Sequence, residues 1–465
     1  MIIEIKDTGI PKGVVQIAQQ LPDRSDVRPG QSITLKFSGP TRSGRDSFVL
    51  LTGLVLLAAW RMSLPPGVIV SVDDSLCTPD TQKFLSNTGF REIVDTGRET
   101  PSTQTRIGRV PLQPITNRFT TEATVNRIVS IFDEYAGHID NTTPFRTMID
   151  EYAGHIDNTT PFRTMISELC ENVLAHSDFV SPGYVCARVM EKTMHAEITI
   201  ADTGVGIRQS YLSGTNKRVI QKINNGASPL ELAIGGLNSS KPWHVSGATL
   251  RSYFGFGLLV TRRLIEKNGG RLLLMSGDEA LYVEGMNRDK YPPLPRPYPG
   301  TFIGIVLDLN KPLPLKEIYE EVVDEYTGHE PSKTHDTQSH AISPRKEQHE
   351  IQGVVDTAGM DEQDTAEIQQ KKIELRHYGT ELLTRDAGTA IRADIATWVA
   401  AGYRVQVSLD EVSDITPSVA DEAFAKLAQI LGNEIFQEKV EIVGGTPLAN
   451  RLVNFVLKTR QNRST

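Results

Sequence analysis

Two periods of apolar and polar residues run through this chain. SITLKFS (32–38) and HAEITIA (195–201) place apolar side chains at every second position, Ile198 and Ile200 among them, which predicts strands with one buried face. FVLLTGLVLLAAW (48–60) is apolar throughout. At 13 residues it is too short to span a bilayer and reads as a buried helix. With the strand GVIVSV and the helix DTQKFLSNTGF after it, it predicts a small parallel α/β layer over residues 1–115.

The C-terminal end has the same character. KIELRHY and ELLTR read as strands, DAGTAIRADIATWVAAG as a helix that stops on glycine, and YRVQVSL as a strand. SVADEAFAKLAQILG, EKVEIVG and PLANRLVNFVLKTR follow as helix, strand and helix, giving a second α/β unit at 371–465. Between about 316 and 370 the chain is polar and aperiodic and reads as a linker. Four of the ten histidines lie there, without the spacing of a metal site.

Composition narrows the class. A chain of 465 residues, 39% apolar, is long enough for about three domains. A net charge of −8 does not indicate nucleic-acid binding. The cysteines, Cys77, Cys170 and Cys186, are odd in number and form no C-x-x-C, which argues against a secreted disulfide framework. With no signal peptide and no membrane span, a cytoplasmic location is expected. Asp73-Asp74 after a strand reads as a solvated loop rather than a metal site.

The chemistry gathers at 116–315. In SELCENVLAHS, Glu168, Asn172 and His176 are spaced i, i+4, i+8 and share one stripe of a helix, beside an apolar face of Leu169, Val173 and Leu174. A carboxamide oxygen suits Mg²⁺, which takes one or two protein oxygens and leaves the rest to water and phosphate. A carboxylate one turn away can orient or deprotonate a nucleophile. The strand HAEITIA ends in Asp202-Thr203-Gly204-Val205-Gly206, where a carboxylate can accept from an exocyclic amine and glycines admit a flat ring. Phe254-Gly255-Phe256-Gly257-Leu258 opens a helix that stops at Gly269-Gly270, and glycines before a helix free backbone N–H groups for phosphate. Taken singly, each piece also reads as a solvated helix face or an ordinary turn.

Together and in this order, the three pieces resemble the GHKL ATPase superfamily of DNA gyrase B, heat-shock chaperone ATPases, histidine kinases and mismatch-repair ATPases. Glu168-x-x-x-Asn172 matches its N box, Asp202-x-Gly204-x-Gly206 its first glycine box and Gly255-x-Gly257-Leu258 its second. Pro299-Gly300-Thr301 before FIGIVLDL looks like its closing strand. The resemblance implies a central Bergerat α/β sandwich that binds ATP and Mg²⁺. Glu168 would be the general base, Asn172 the metal ligand, and Asp202, supported by Thr301, the reader of adenine. Gly204, Gly206, Gly255, Gly257 and Leu258 would shape the pocket. A lid at 208–253 would bring Lys217, Arg218, Lys241 or Arg251 to the γ-phosphate. Histidine kinases lack the glutamate role, so Glu168 argues against them.

Both ends are similar to STAS domains, the C-terminal one more closely. In sigma-factor regulators a GHKL kinase phosphorylates a STAS antagonist on a serine at a helix start. The corresponding positions are Thr416 and Ser418, with Thr416-Pro417-Ser418 in place of the family's Asp-Ser, and a helix-capping role is the alternative for both. The expected function is a regulatory, antiphage-defence or stress-signalling ATPase. The alternatives are an anti-sigma-type serine/threonine kinase acting on a STAS domain, or an ATP-binding scaffold of low turnover. A homodimer or higher homo-oligomer is expected, with a protein partner reached through the STAS-like ends.

DEYAGHIDNTTPFRTMI occurs twice, unchanged, at 133–149 and 150–166. Structural need does not preserve identity at all 17 positions, so a recent in-frame duplication is the expected origin. The second copy interposes one short helix (about 144–155) before the helix of Glu168.

Overall fold

The computed structural model describes residues 1–6, 12–38, 47–98, 109–138, 159–176, 182–190, 193–214, 216–236, 256–311, 313–314, 317–318, 321–322, 324–325, 369–382 and 385–461. The architecture is mixed α/β, as expected. The short helix expected at 144–155, Lys241, Arg251 and Gly255 lie outside the described residues.

The first unit is a parallel sheet in the order β1 (Ile2–Lys6), β2 (Ser32–Ser38), β3 (Ile69–Leu76). Helix α1 (Lys12–Gln20) connects β1 to β2, and α2 (Ser47–Ser63) connects β2 to β3. Ile3, Ile5, Ile33, Leu35 and Phe37 alternate inward. Helices α3 (Pro79–Asn87) and α4 (Phe90–Thr96) complete it. Asp73 and Asp74 lie in β3 rather than in a loop. Asp74 pairs with Arg91, and Asp73 accepts from the Ser75 backbone N–H and hydroxyl.

The second unit is a seven-stranded, wholly antiparallel sheet in the order β4-β5-β6-β10-β7-β8-β9. Its strands are β4 (Arg109–Ile115), β5 (Gly183–Met190), β6 (His195–Ala201), β7 (Arg271–Gly277), β8 (Glu279–Glu284), β9 (Asn287–Lys290) and β10 (Tyr298–Asp308). One face is covered by α5 (Arg118–His138), α6 (Thr159–His176) and α10 (Phe256–Asn268), which bury Val125, Ile128, Leu169, Val173, Val260 and Leu264. Phe132 of α5 meets Phe162 of α6 with ring centroids 4.5 Å apart. Helices α7 (Gly206–Leu212), α8 (Lys217–Asn224) and α9 (Pro229–Gly235) lie between β6 and α10 in sequence.

The other face is covered by the first unit. Helix α2 lies against β5, β6 and β10 while also packing on α1 and α4. Leu54 to Trp60 are wholly buried, and Tyr184, Cys186, Met275, Tyr298 and Phe302 share their apolar cluster. A helix that is apolar all round must be buried all round, and here two layers supply the cover. A polar seam crosses the same face. Arg188 pairs with the buried Glu197, and Arg188 and Arg109 each stand 5.9 Å from the centre of the Phe84 ring.

The third unit has a parallel sheet in the order β11 (Gln370–Glu374), β13 (Arg404–Ser408), β15 (Val440–Val443). A short parallel pair joins β12 (Glu381–Leu382) to β14 (Asp414–Ile415). Helix α11 (Arg385–Ala400) precedes β13. Helix α12 runs in three pieces, α-helical at Pro417–Ala420, a π turn at Asp421–Ala425 and α-helical again at Lys426–Leu431. Helices α13 (Asn433–Lys439) and α14 (Pro447–Gln461) follow it. Two expected strands are shorter than their patterns. KIELRHY leaves the sheet after Glu374 into a 3₁₀ turn, Leu375–Tyr378, which buries Leu375. The start of EKVEIVG is helical because α13 buries Phe436 one turn past Gly432.

The stretch expected as linker begins with packed structure, since Ile318 and Val322, spaced i, i+4, are buried in the central core. Glu321 and Glu325 pair with Lys267 and Arg263 of α10.

Two-sided burial of α2 is testable. Leu57→Ala removes about three buried carbons from a close-packed layer and should lower the unfolding free energy by about 2–5 kcal/mol. The chemical-denaturation midpoint reads this, and an unchanged midpoint would contradict the packing.

Candidate functional site

The site is built where three separate segments meet at one end of the central sheet. Helix α6 buries Leu169, Cys170 and Val173 against the strands, which turns Glu168 and Asn172 to its half-buried side. The side chain of His176 is outside the described residues. Helix α10 enters beside that stripe at Gly257. A Cβ on Gly257 would stand 2.9 Å from Glu168 Oε2, 3.2 Å from Glu168 Cβ and 3.8 Å from Asn172 Nδ2. Gly257 therefore lets the α10 backbone lie directly on the carboxylate and the carboxamide. Its carbonyl accepts from Thr261 Oγ1 at 2.7 Å, and Leu258 packs half-buried on the core.

Asp202 lies at the end of β6 and is 3% exposed. Its Oδ1 accepts from the Gly204 N–H at 2.8 Å and from the Thr301 N–H at 3.3 Å. Its own N–H donates to the Thr301 carbonyl at 2.9 Å, and the Tyr298 hydroxyl donates to its carbonyl at 2.9 Å. Burial pushes the Asp202 carboxyl up to about 7, against the two backbone N–H groups that favour the ionised form. Folding therefore favours the protonated carboxyl. The stability this confers is complete below the unfolded value near 4 and is lost as pH rises through about 7.

Gly300 has φ +95°, and a Cβ there would stand 2.3 Å from the Asp202 carbonyl oxygen. Ser276 Oγ donates to the Gly300 carbonyl at 2.7 Å and accepts from the Ile207 N–H at 2.8 Å, which ties β7, β10 and the start of α7 together. Gly206, at φ +71°, packs against the same Ser276 and Gly300 atoms. Gly183, at the start of β5, joins the two halves. A Cβ there would stand 2.3 Å from Val173 Cγ1 and 3.5 Å from Asp202 Cβ, so the Asn172 turn of α6 and the Asp202 strand end are neighbours.

The structure thus gathers Glu168, Asn172, Asp202, Gly204, Gly206, Gly257, Leu258 and Thr301. Lys217 and Arg218 are exposed at the start of α8. The sequence marks none of Ser276, Tyr298 and Gly183 as part of the site. A serine inside a strand, a tyrosine before a turn and a glycine at a strand start carry no local signal of such a role.

A fourth segment reaches the site from the C-terminal unit. Ser418 Oγ donates to Glu168 Oε1 at 3.0 Å. Ser418 is 7% exposed. Thr416 caps α12, its hydroxyl accepting from the Val419 N–H at 3.2 Å. Capping therefore describes Thr416, whereas Ser418 is turned toward Glu168.

Residues 157–309 match the family model described as histidine kinase-, DNA gyrase B-, and HSP90-like ATPase. The match spans about a third of the chain and contains every site residue named above except Ser418 and Thr416. This segment is similar to GHKL-type ATP-binding domains. A search among curated proteins found no match. Among the described residues, no helix is long and apolar enough to cross a membrane.

Gly300→Ala forces a methyl group into the Asp202 backbone at a positive φ, and at least about 2 kcal/mol of stability should be lost. Thermal unfolding reads this loss. An unchanged transition would contradict the close approach of β10 to Asp202.

Proposed function

We propose that residues 116–315 form a Bergerat-type site that binds and hydrolyses Mg-ATP, and that the chain is a regulatory ATPase with STAS-like units on both sides. The observation that carries this reading is the meeting of Glu168, Asn172 and Gly257 beside the Asp202 strand end. Asp202 would accept from the adenine amine, with Thr301 and Gly204 holding its other bonds. Gly257 would bring α10 N–H groups toward the phosphates, and Glu168 would take the proton of an attacking water.

A magnesium ion fits this donor set. Among the described residues no three His, Cys, Asp or Glu side chains converge on a metal position. An ion held by one amide oxygen, from Asn172, and otherwise by phosphate and water is how magnesium is commonly bound beside nucleotides. Bound there, it would neutralise charge on the β- and γ-phosphates. A setting in antiphage defence or stress signalling is the biological form of this reading, and it rests on domain type alone. The second reading is a serine/threonine kinase of the anti-sigma type, favoured by the hydrogen bond from Ser418 to Glu168.

Two measurements test the proposal. ATP affinity should rise between pH 6 and pH 8, because the adenine amine needs an ionised acceptor and Asp202 ionises near 7. Asp202→Asn should weaken binding about 10- to 100-fold, the value of a charge-assisted hydrogen bond, and flatten the pH profile. Glu168→Gln should keep ATP affinity within about threefold yet cut γ-phosphate cleavage at least about 100-fold. A wild-type chain without magnesium-dependent ATP affinity, or a Glu168→Gln chain with full turnover, would overturn the reading.

A further inference from the structure

We infer that Ser276 is a positioning residue that determines base specificity: its hydroxyl orients the peptide that leaves one oxygen of Asp202 to the adenine amine, and it caps the helix that follows the Asp202 turn. This rests on the ATP site proposed above. The inference starts from the unequal use of the two Asp202 oxygens. Oδ1 accepts both described hydrogen bonds of the carboxyl, from the Gly204 N–H at 2.8 Å and the Thr301 N–H at 3.3 Å. Oδ2 is thereby left to the donor of a bound base.

The Thr301 N–H belongs to the same peptide unit as the Gly300 carbonyl, and Ser276 Oγ donates to that carbonyl at 2.7 Å. A peptide unit is planar, so holding its oxygen also aims its N–H. Little else holds this one. The register of β10 on β7 shifts between Tyr298 and Thr301, which interrupts the ladder there. Gly300, at φ +95°, has no side chain to restrict the turn. Ser276 therefore sets the geometry of the Asp202 carboxyl through Thr301.

The same oxygen accepts from the Ile207 N–H at 2.8 Å. Helix α7 starts at Gly206, and Val205 before it has no side-chain oxygen for a cap. Ser276 supplies that cap from β7. Gly206 makes the room, since a Cβ there would stand 2.8 Å from Ser276 Oγ and 3.0 Å from the Gly300 carbonyl oxygen. A hydroxyl has one proton, and here Gly300 takes it while Ile207 meets a lone pair. At 4% exposure, water has little access to replace either bond. Helix α7 packs on β7, β10 and α9 and leads to α8, which opens with Lys217 and Arg218. Reading of the base and placement of these cations thus share one hydroxyl.

The full-length chain with magnesium is titrated at pH 8 with ATP and with purine riboside triphosphate, which lacks the exocyclic amine. The wild type should prefer ATP. Ser276→Ala should weaken ATP about 5- to 10-fold and the amine-free nucleotide less than about twofold. Ser276→Cys fills the same space with a weak donor and should lose the preference in the same way. Equal weakening of both nucleotides overturns the specificity role and leaves Ser276 a staple between strands. Unchanged ATP affinity in both variants overturns it as well. A wild type that binds both nucleotides equally overturns amine reading and this inference with it, whereas a wild type that binds neither overturns the ATP site itself. The cap is read without nucleotide. Amide hydrogen exchange at Ile207 should rise at least about tenfold in Ser276→Ala, and unchanged exchange overturns the capping role.

Discussion

The site depends on one steric constraint, that backbone must lie where a side chain would otherwise be. At Gly257 the missing Cβ lets α10 rest on the Glu168–Asn172 stripe, and at Gly300 it lets the β10 turn rest on the Asp202 peptide. These contacts bring segments more than 80 residues apart in the chain onto shared atoms. A methyl group at Gly300 would collide with the Asp202 backbone and push the strand away, whereas at Gly257 it would displace the end of the Glu168 side chain and crowd its Cβ. Positioning chemistry loses much of its rate over such displacements. The polar groups of the site are thus ordinary, and the geometry that unites them comes from residues with no side chain.

The central sheet gives the site a rigid floor because it is covered twice. An antiparallel sheet often leaves one face to solvent. Here α5, α6 and α10 cover one face and α2 the other, and strands such as RLLLMSG lose the alternation that one-sided burial would impose. The same cover explains α2 itself, whose composition resembles that of a membrane helix and whose length does not.

Much of this was legible in the sequence, where the signal was local. The helix around Glu168, the strand before Asp202, the helix after Gly257 and the strand after Gly300 all carried their own periodicity. Their assembly was legible only through the order of three motifs. What stayed hidden depended on partners distant in the chain. Ser276 looks like any strand serine until it bridges Gly300 and Ile207. Ile318 and Val322 read as the start of a polar stretch because two apolar residues a turn apart are too few to mark a helix. The strand β1 carried the right alternation at Ile3 and Ile5, but five residues without the partner β2 make a weak signal.

The two flanking units are joined to the central one in different ways. The N-terminal unit is held by α2 spread across three strands, where each fully buried Leu, Val or Trp contributes about 1.5–3 kcal/mol. Part of the burial of Leu54 to Trp60 falls on those strands and the rest on α1 and α4 of the same unit. The C-terminal unit shares a continuous apolar cluster with the centre. Among the described residues, however, none of its helices or strands packs broadly on a central one. The hydrogen bond from Ser418 to the Glu168 carboxylate adds a polar tie of the charge-assisted kind, worth about 1.5–3 kcal/mol. The C-terminal unit thus meets the centre through that apolar cluster, and the hydrogen bond from Ser418 places its helix start against the carboxylate of the candidate site.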